Sequence, residues 1–470
     1  MADILLAHCN HLFFDRKQTR KMQPYPPLQT LLAAAVLRRD GFEVALFDPT
    51  LEYSEEAFYQ ALQRHRPRLV ALCEDNFNFL TKMCLTRNRE VAYFMARAAG
   101  EAGVPVVVNS SDATDHIIDY LRNGAGFVIF GEVEATLLET ARRLLRGAGT
   151  TPIAGLAYLE PGTRSLRINP PRALLEDLDQ LPLPAWDLVG VEAYRRAWTQ
   201  AHGYFSLNMV SSRGCPYRCN WCSKPVYGHH YHFRSPEHVA AEMLHLKRTL
   251  APEHIWFADD IFALSAQWTE RFAEAVETLG ARIPFKMQSR CDLMTRGAVQ
   301  ALRRAGCAEV WMGAESGSQK ILDAMEKGIT IDQTRRACAN LRGHGVRVGL
   351  FIQLGYPGET WEDIQTTIRL VRETRPDEIG VSVSYPLPGT DFFNRVQQHL
   401  GAKQNWEDSD DLAMMFQGAY TSEFYRAVRD ALHAEVDGAR QTELGALWSR
   451  VEALEKTSAT ANPTLLWTSC

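Results

Sequence analysis

Residues 204–224 have the sequence YFSLNMVSSRGCPYRCNWCSK. The stretch is mostly apolar as far as Val210, and three cysteines, Cys215, Cys219 and Cys222, follow among polar residues. An apolar run that stops at glycine and polar residues is typical of a buried strand with a loop at its carboxyl end. The stretch therefore predicts a strand whose following loop carries three closely spaced thiols.

Short strand-like runs also precede this stretch, with helical stretches between them. Each run is apolar nearly throughout, as in parallel strands that helices cover on both faces. The pattern predicts a doubly wound, Rossmann-like α/β sheet of five parallel strands, followed by a hairpin (IAGLAYLE and SLRINP) and a proline-rich linker (LPLPAWDL). The five runs are DILLAHC, FEVALFD, RLVALCE, VPVVVNS and GFVIFGE.

A second series of strands begins at YFSLNMVSS and alternates with helices. Ser235 before Pro236, and Thr330 with Gln333, are typical helix starts. Repeated βα units curl into a barrel, but six units are fewer than the eight that close one. We therefore expect a partial (β/α)6 barrel of the TIM type. The other five strand candidates are HIWFADD, IPFKMQS, AEVWMGAES, VRVGLFIQLG and EIGVSVSYP.

These patterns divide the chain into four segments. We predict a Rossmann-like domain over residues 1–150, a hairpin and linker over 151–200, the partial barrel over 201–395 and a helical segment over 396–470. A chain of 470 residues is long enough for more than one domain.

Composition excludes several classes of protein. The net charge of −5 shows no basic excess, so we expect no nucleic-acid partner. The longest purely apolar run, Leu31–Leu37, is far too short to span a membrane, and MADILLAHC lacks the basic start of a secretory signal. We expect a cytoplasmic protein. Its 10 cysteines are then better explained as metal ligands, core residues or reactive thiols than as disulfides.

The spacing C-x3-C-x2-C of Cys215, Cys219 and Cys222 favours a metal centre with one ligand missing. A structural zinc site closes its tetrahedron with a fourth protein ligand, for which a nearby histidine (His229, His230 or His232) is the alternative here. A [4Fe–4S] cluster that is held by only three thiolates instead leaves one iron open to a small molecule.

The segment GCPYRCNWC resembles the signature of the radical S-adenosylmethionine (SAM) superfamily. The resemblance implies that Cys215, Cys219 and Cys222 bind a [4Fe–4S] cluster, whose open iron binds the amino and carboxylate groups of SAM. Reductive cleavage of SAM then yields a 5′-deoxyadenosyl radical. An electron donor such as flavodoxin or ferredoxin is implied as a partner.

The same resemblance implies SAM contacts at other strand ends. Two adjacent acids on a strand point to opposite faces, so only one of Asp259 and Asp260 faces the barrel interior, and we favour Asp260. Alternation places Gln288 and Arg290 on one face, where Arg290 suits a cofactor carboxylate. A structural ion pair is the alternative for Arg290 and for Glu315. The implied SAM-binding residues are Trp221, Asp259, Asp260, Gln288, Arg290, Glu315 and Ser316.

The N-terminal domain has neither a G-x-G-x-x-G loop nor a Walker A sequence, which argues against a dinucleotide or a nucleoside triphosphate. The order of its parts, with GEVEATL at the fifth strand end, resembles the cobalamin-binding domain of many superfamily members. The D-x-H-x-x-G loop that supplies a histidine to cobalt is absent. Cobalamin is thus an implied cofactor, and a domain kept for packing or substrate capture is the alternative. The candidate cobalamin contacts are Glu74, Ser110, Gly131 and Glu132.

The resemblance covers about residues 204–395 and implies an enzyme that acts on a small molecule. Cobalamin-dependent methylation of an unactivated carbon is the favoured reaction, and a cyclase or oxidase like the anaerobic magnesium-protoporphyrin monomethyl ester cyclase is the alternative. A methylthiotransferase would need a second cluster, for which Cys9, Cys73 and Cys84 are the candidates. A non-enzymatic iron–sulfur sensor would not need the implied SAM contacts. No general acid or base is assigned.

Overall fold

The structure is a computed structural model, and it describes residues 1–78, 83, 85–147, 152–224 and 226–458. The chain divides into two compact units. The first unit comprises residues 1–216, 224–259 and 405–410, and the second comprises residues 217–223, 260–404 and 411–470.

A seven-stranded sheet organises the N-terminal part of the first unit, with the strand order β2-β1-β3-β4-β5-β6-β7. The first five strands of the chain are parallel, as predicted. The predicted hairpin does not stand apart from them, because β6 pairs antiparallel with β5 and β7 with β6. The strands are β1 (Ile4–Ala7), β2 (Val44–Phe47), β3 (Leu69–Cys73), β4 (Val106–Asn109), β5 (Phe127–Ile129), β6 (Leu156–Leu159) and β7 (Leu166–Ile168).

Helices cover both faces of this sheet. Successive side chains of β1 alternate between two apolar cores, with Leu5 and Ala7 in one and Ile4 and Leu6 in the other. A strand that is buried on both faces needs apolar residues at every position, which is the pattern seen in the sequence. The helices of this unit are α1 (Arg16–Lys21), α2 (Leu28–Arg39), α3 (Ala57–His65), α4 (Thr86–Glu101), α5 (Ser111–Asp115), α6 (Ile117–Arg122), α7 (Val133–Arg146), α8 (Val191–His202) and α9 (Pro236–Thr249), with 3₁₀ turns at Leu12–Phe14, Leu178–Gln180 and Trp186–Leu188.

The proline-rich segment LPLPAWDL is packed rather than free. Ala185 belongs to the core that also holds Ile4 and Leu6, and its backbone N–H donates to the Leu31 carbonyl at 3.2 Å. Helix α8 follows, and its Trp198 is fully buried. The sequence pattern did not predict this helix.

The six predicted strands of the second series are all present, and they form a parallel sheet with the order β15-β14-β13-β12-β11-β8. This is the sheet of the predicted partial barrel, so the predicted fold class is confirmed. A short antiparallel pair, β9 with β10, follows β8 in the chain. The strands are β8 (Ser206–Met209), β9 (Ser212–Arg213), β10 (His232–Phe233), β11 (His254–Phe257), β12 (Phe285–Ser289), β13 (Cys307–Glu315), β14 (Arg347–Leu354) and β15 (Glu378–Val383).

Two helices begin at the N-cap residues that the sequence predicted. The Ser235 hydroxyl accepts from the backbone N–H of His238, with Pro236 in the first turn. Thr330 and Gln333 form a reciprocal capping box. The second unit contains α10 (Ala266–Leu279), α11 (Arg296–Ala305), α12 (Gln319–Ala324), α13 (Ile331–Gly343), α14 (Trp361–Thr374), α15 (Asp391–Val396), α16 (Ser422–Val436) and α17 (Gln441–Ser458), with 3₁₀ turns at Cys291–Leu293 and Gln397–His399.

Within the part of the chain that the structure describes, none of the helices combines the length and apolarity that a membrane crossing requires.

Gly317 lies just after β13, where the chain passes close to α14. A Cβ atom at this position would lie 2.3 Å from the Thr366 carbonyl oxygen, which is backbone and has no rotamer to change. Only glycine fits this approach without moving the helix.

We predict that Gly317→Ala lowers the free energy of unfolding by about 1–3 kcal/mol, the usual cost of overpacking. Gly297→Ala is the matched control. It lies in α11 with nothing within 4 Å of the added Cβ, so it should raise stability by about 0.5–1 kcal/mol. Denaturant unfolding of the two variants measures both changes. Equal stability of the two variants would contradict the close approach.

Candidate functional site

The three cysteines of the C-x3-C-x2-C segment are half-buried, and no disulfide joins them. Cys215 belongs to the first unit, and Cys219 and Cys222 to the second. Among the described residues, no three His, Cys, Asp or Glu side chains converge as the ligands of a single ion would. A [4Fe–4S] cluster does not require this convergence, because each thiolate binds a different iron. Cys219 and Cys222, which are half-buried in one loop of the second unit, therefore fit two of the ligand positions of such a cluster.

Asn220 holds the middle of the cysteine segment in place within the second unit. Its side-chain amide donates to the Ala324 carbonyl at 2.8 Å and accepts from the Tyr356 hydroxyl at 3.0 Å. Its backbone N–H donates to Met325, and its carbonyl accepts from Phe392. The backbone between Cys219 and Cys222 is thus ordered by protein contacts alone.

Two cations lie close to Cys219. The Arg290 guanidinium stacks 3.7 Å from the centroid of the Tyr217 ring, and the Lys327 ammonium lies 5.8 Å from that of Trp221. Burial opposes both charges, yet the pKa of each group is raised. Asp292 and Cys219 raise the pKa of Arg290, and Glu315 and Cys219 raise that of Lys327. Two buried positive charges therefore lie beside Cys219, one of the proposed cluster ligands.

Arg290 is held mainly by the protein itself. Its guanidinium donates to Asp292 at 2.9 Å and to the carbonyls of Lys327 and Gly328 at 2.9 and 3.2 Å. These bonds favour the structural alternative for this residue. Gln288, on the strand before it, is half-buried. A SAM contact of either residue stays a prediction.

Glu315 and Lys327 form a buried ion pair at 2.6 Å. Glu315 adopts a left-handed backbone conformation (φ 59°) at the end of β13, and Gly313 leaves room for the pair, since a Cβ there would lie 2.5 Å from the Lys327 ammonium. The neighbouring Ser316 hydroxyl contacts Thr367 at 3.2 Å. The structural ion pair was the alternative for Glu315, and ribose contacts of Glu315 and Ser316 stay predictions.

We predict that Lys327→Met lowers the free energy of unfolding of the cluster-free protein by about 3–5 kcal/mol, because the buried Glu315 carboxylate loses its partner. The double variant Glu315→Gln/Lys327→Met should recover most of this loss. Lys320→Met is the control. Lys320 pairs with Asp363 but is 58% exposed, so its loss should cost less than about 1 kcal/mol. A double variant no more stable than Lys327→Met would contradict the pairing.

Asp259 and Asp260 differ in environment. Asp259 is buried, and it accepts hydrogen bonds from the backbone N–H and hydroxyl of Ser211, at 3.0 and 2.7 Å, and from the hydroxyl of Ser212 at 2.5 Å. Burial raises its pKa to about 6, although the serine bonds lower it. Asp260, the residue that we favour for the SAM amino group, is exposed. That role stays a prediction for both.

The raised pKa of Asp259 has a consequence for stability. Between about pH 4 and pH 6 the folded protein binds a proton at Asp259 that the unfolded chain does not bind, so this group stabilises the fold at low pH and loses that effect as the pH rises. As the pH rises from 4 to 7, the free energy of unfolding of Asp259→Asn should therefore increase by about 2–3 kcal/mol relative to that of the wild type. Urea unfolding across this range measures it, with the exposed Asp260→Asn as control. Parallel curves for wild type and Asp259→Asn would refute the assignment.

The candidate cobalamin residues lie at the carboxyl ends of the N-terminal sheet. Glu74 is buried, and one of its oxygens accepts from the Cys9 backbone N–H at 2.6 Å. The other, Oε2, has no hydrogen-bond partner among the described residues. Burial raises the pKa of Glu74. Ligands of doubly wound sheets bind at the switch in strand order, which here lies between β1 and β3. Glu74 directly follows β3, so it has an unused hydrogen-bonding oxygen at the predicted ligand site.

The other three candidate cobalamin residues differ in how far protein contacts already engage them. Gly131 has a positive φ of 81°, and nothing lies within 4 Å of a Cβ built on it. The Ser110 hydroxyl caps α5 by accepting from the Ala113 backbone N–H. Both carboxylate oxygens of Glu132 are engaged, one by Arg213 at 2.7 Å and one by the Leu175 backbone N–H at 2.6 Å. A cobalamin contact of each stays a prediction.

The second cluster of a methylthiotransferase finds little support in the thiols. Cys9 and Cys73 are buried, and burial raises the pKa of both, which disfavours the thiolate that a cluster needs. Cys84 lies outside the described residues.

The model of the radical SAM superfamily matches residues 209–371. This segment of the chain is therefore a radical SAM domain, and the resemblance that the cysteine spacing indicated is confirmed. A [4Fe–4S] cluster and SAM are the cofactors that such a domain implies.

The relatives that the chain resembles include a methyltransferase and a methylase. An uncharacterized methyltransferase of Pyrococcus horikoshii is 30% identical over 59% of this chain and 60% of its own length. The hopanoid C-3 methylase of Methylococcus capsulatus is 25% identical over 80% of this chain and 69% of its own. The chain thus spans less than two-thirds of the first of these relatives.

Among solved structures, the radical SAM methyltransferase TsrM from Kitasatospora setae, with cobalamin and a [4Fe–4S] cluster bound, has a TM-score of 0.69 at 20% identity, over 85% of this chain and 75% of that one. The likeness shows that the two chains share a fold.

Proposed function

We propose that the protein reductively cleaves SAM at a [4Fe–4S] cluster and uses the resulting radical for cobalamin-dependent methylation of an unactivated carbon of a small molecule. The observation that carries the proposal is the radical SAM domain with the C-x3-C-x2-C spacing of Cys215, Cys219 and Cys222, in a chain whose N-terminal part forms a doubly wound sheet. The similarity to methylases supports the type of reaction.

When bound, the cluster and SAM supply the 5′-deoxyadenosyl radical and cobalamin supplies the methyl group. Cys215, Cys219 and Cys222 would each bind one iron and leave the fourth open to SAM. Lys327 and Arg290 would stabilise the negative charge of the thiolates beside them, since both act on Cys219. Trp221, held near Lys327, would pack against the adenine.

In the N-terminal sheet, Glu74 would bind the corrin side chains. A carboxyl whose pKa is raised by burial is held more readily in its protonated form, and its Oε2 would then donate to an amide carbonyl at the strand switch. Gly131 would allow a ligand to approach the backbone on its Cα side, because nothing lies within 4 Å of a Cβ built there. Exclusion of water from the radical is the remaining task of the protein.

We predict that the anaerobically reconstituted protein, given a reductant such as reduced flavodoxin, converts SAM into both 5′-deoxyadenosine and S-adenosylhomocysteine. Both products are expected because one SAM supplies the radical and another supplies the methyl group. Chromatography of the products, with absorption spectra of cluster and corrin, tests this. 5′-Deoxyadenosine alone would favour the cyclase-like or oxidase-like alternative.

Cys222→Ala should remove the cluster and the formation of 5′-deoxyadenosine, because the cluster then keeps only two thiolates. Cys338→Ala is the matched control, since Cys338 is a buried thiol of α13 outside the segment. Equal iron content in the two variants would contradict the assignment of the ligands.

A further inference from the structure

Arg213 lies just before the cysteine segment, in a buried network of charges. Its guanidinium binds Glu132 at 2.7 Å and Glu134 at 2.5 Å. All three side chains are almost fully buried, with 3%, 8% and 7% of their surface exposed. Both carboxylates come from the N-terminal sheet region, at the start of α7 and just before it. All of these residues belong to the first unit.

The same network reaches the far end of the segment. Glu134 also accepts a hydrogen bond from the side-chain amide of Gln29 at 2.9 Å, and the Tyr227 hydroxyl donates to the carbonyl oxygen of that amide. Tyr227 is buried, and its ring lies 5.4 Å from the Arg213 guanidinium. Arg213 before the cysteines and Tyr227 after them are therefore bound to one set of side chains.

Backbone contacts close the loop at the same place. Arg213 pairs with His232 in the β9–β10 ladder. Gly214 has a φ of 76°, and a Cβ there would lie 2.2 Å from the His230 carbonyl oxygen. The described residues between 214 and 231 thus belong to a loop with a tightly packed stem, and the three cysteines lie within it.

A buried arginine between two carboxylates is a poor choice for stability alone. Desolvation of three charges consumes much of their attraction, and apolar side chains of similar volume often stabilise a fold as well or better. Such a network has directional bonds, however, and two bonds from one planar guanidinium define an orientation that apolar contacts do not. This argues for a role in setting geometry.

We propose that Arg213 and Tyr227 are positioning residues that, through Glu132, Glu134 and Gln29, clamp both flanks of the cysteine loop in the shape that receives the iron–sulfur cluster. The inference rests on the proposed function in one respect, since it assumes that the loop receives a cluster. The clamp itself is a property of the metal-free chain, and it can be measured there.

Hydrogen exchange of the metal-free protein tests the clamp directly. Arg213→Lys keeps the charge but loses the two-pronged geometry, and Tyr227→Phe removes a single hydroxyl. We expect both variants to speed amide exchange in the described residues of the loop 214–231 by about tenfold. The controls are Arg89→Lys and Tyr120→Phe, because Arg89 and Tyr120 bind Asp112 in the same unit through an equivalent two-pronged pair and an equivalent hydroxyl. They should leave exchange in this loop unchanged.

The reconstituted protein provides the second measurement. Loss of a residue that orients a metal ligand typically weakens metal binding by about 10–100-fold, so a chelator should remove iron at least about tenfold faster from Arg213→Lys and Tyr227→Phe than from the wild type and the controls. Melting temperature of all variants reports any general loss of stability.

The outcomes distinguish a failure of the clamp from a failure of the proposed function. If the test variants and their controls exchange equally in the loop, or lose iron equally, the clamp is refuted. If exchange rises as expected but the wild type assembles no [4Fe–4S] cluster, the proposed function fails and the assignment of the clamp to a cluster fails with it. Faster exchange and faster iron loss confined to Arg213→Lys and Tyr227→Phe would support the proposal.

Discussion

The parallel direction of the strands is the constraint on which the site depends. When strands run the same way, the loop after every strand emerges at the same edge of the sheet, and crossover helices occupy the faces. Polar residues follow the strands of each unit. In the first unit Cys215 follows β9 and Asp259 follows β11, and in the second unit Arg290 follows β12 and Glu315 ends β13. Apolar strands supply the scaffold, and chemistry is concentrated in the few residues after each.

Three of the buried charged groups described above have specific partners. Lys327 forms an ion pair with Glu315, and Arg213 forms ion pairs with Glu132 and Glu134. Two serine hydroxyls donate hydrogen bonds to Asp259. Such groups add little net stability compared with apolar packing, but they define orientation. Glu74 differs, because one of its buried oxygens has no partner among the described residues. An unsatisfied buried oxygen is costly unless a ligand completes it, and this distinguishes Glu74 from the other candidate cobalamin residues.

The sequence allowed accurate prediction wherever the determining interaction was local. Strand positions followed from apolar runs, and the caps at Ser235 and Thr330 from side chains that bond within one helical turn. Ion pairs and hydrogen bonds between residues distant in the sequence could not be predicted. Lys327 lies after a short helix rather than at a strand end, so no pattern marked it as the partner of Glu315. Likewise, nothing in the sequence shows that Arg213 and the Leu175 backbone engage both oxygens of Glu132, a residue that stays a candidate for cobalamin. The packing of the linker onto the N-terminal core escaped prediction for the same reason.

The central claim is that three thiolates hold four irons and leave one of them open to SAM. Mössbauer spectroscopy of the ⁵⁷Fe-reconstituted protein tests it most directly, because it observes every iron and distinguishes their ligands. We expect three equivalent irons and one distinct iron, whose signal alone changes when SAM is added. Four equivalent irons that SAM leaves unchanged, or a protein that retains zinc in place of iron and sulfide, would contradict the account.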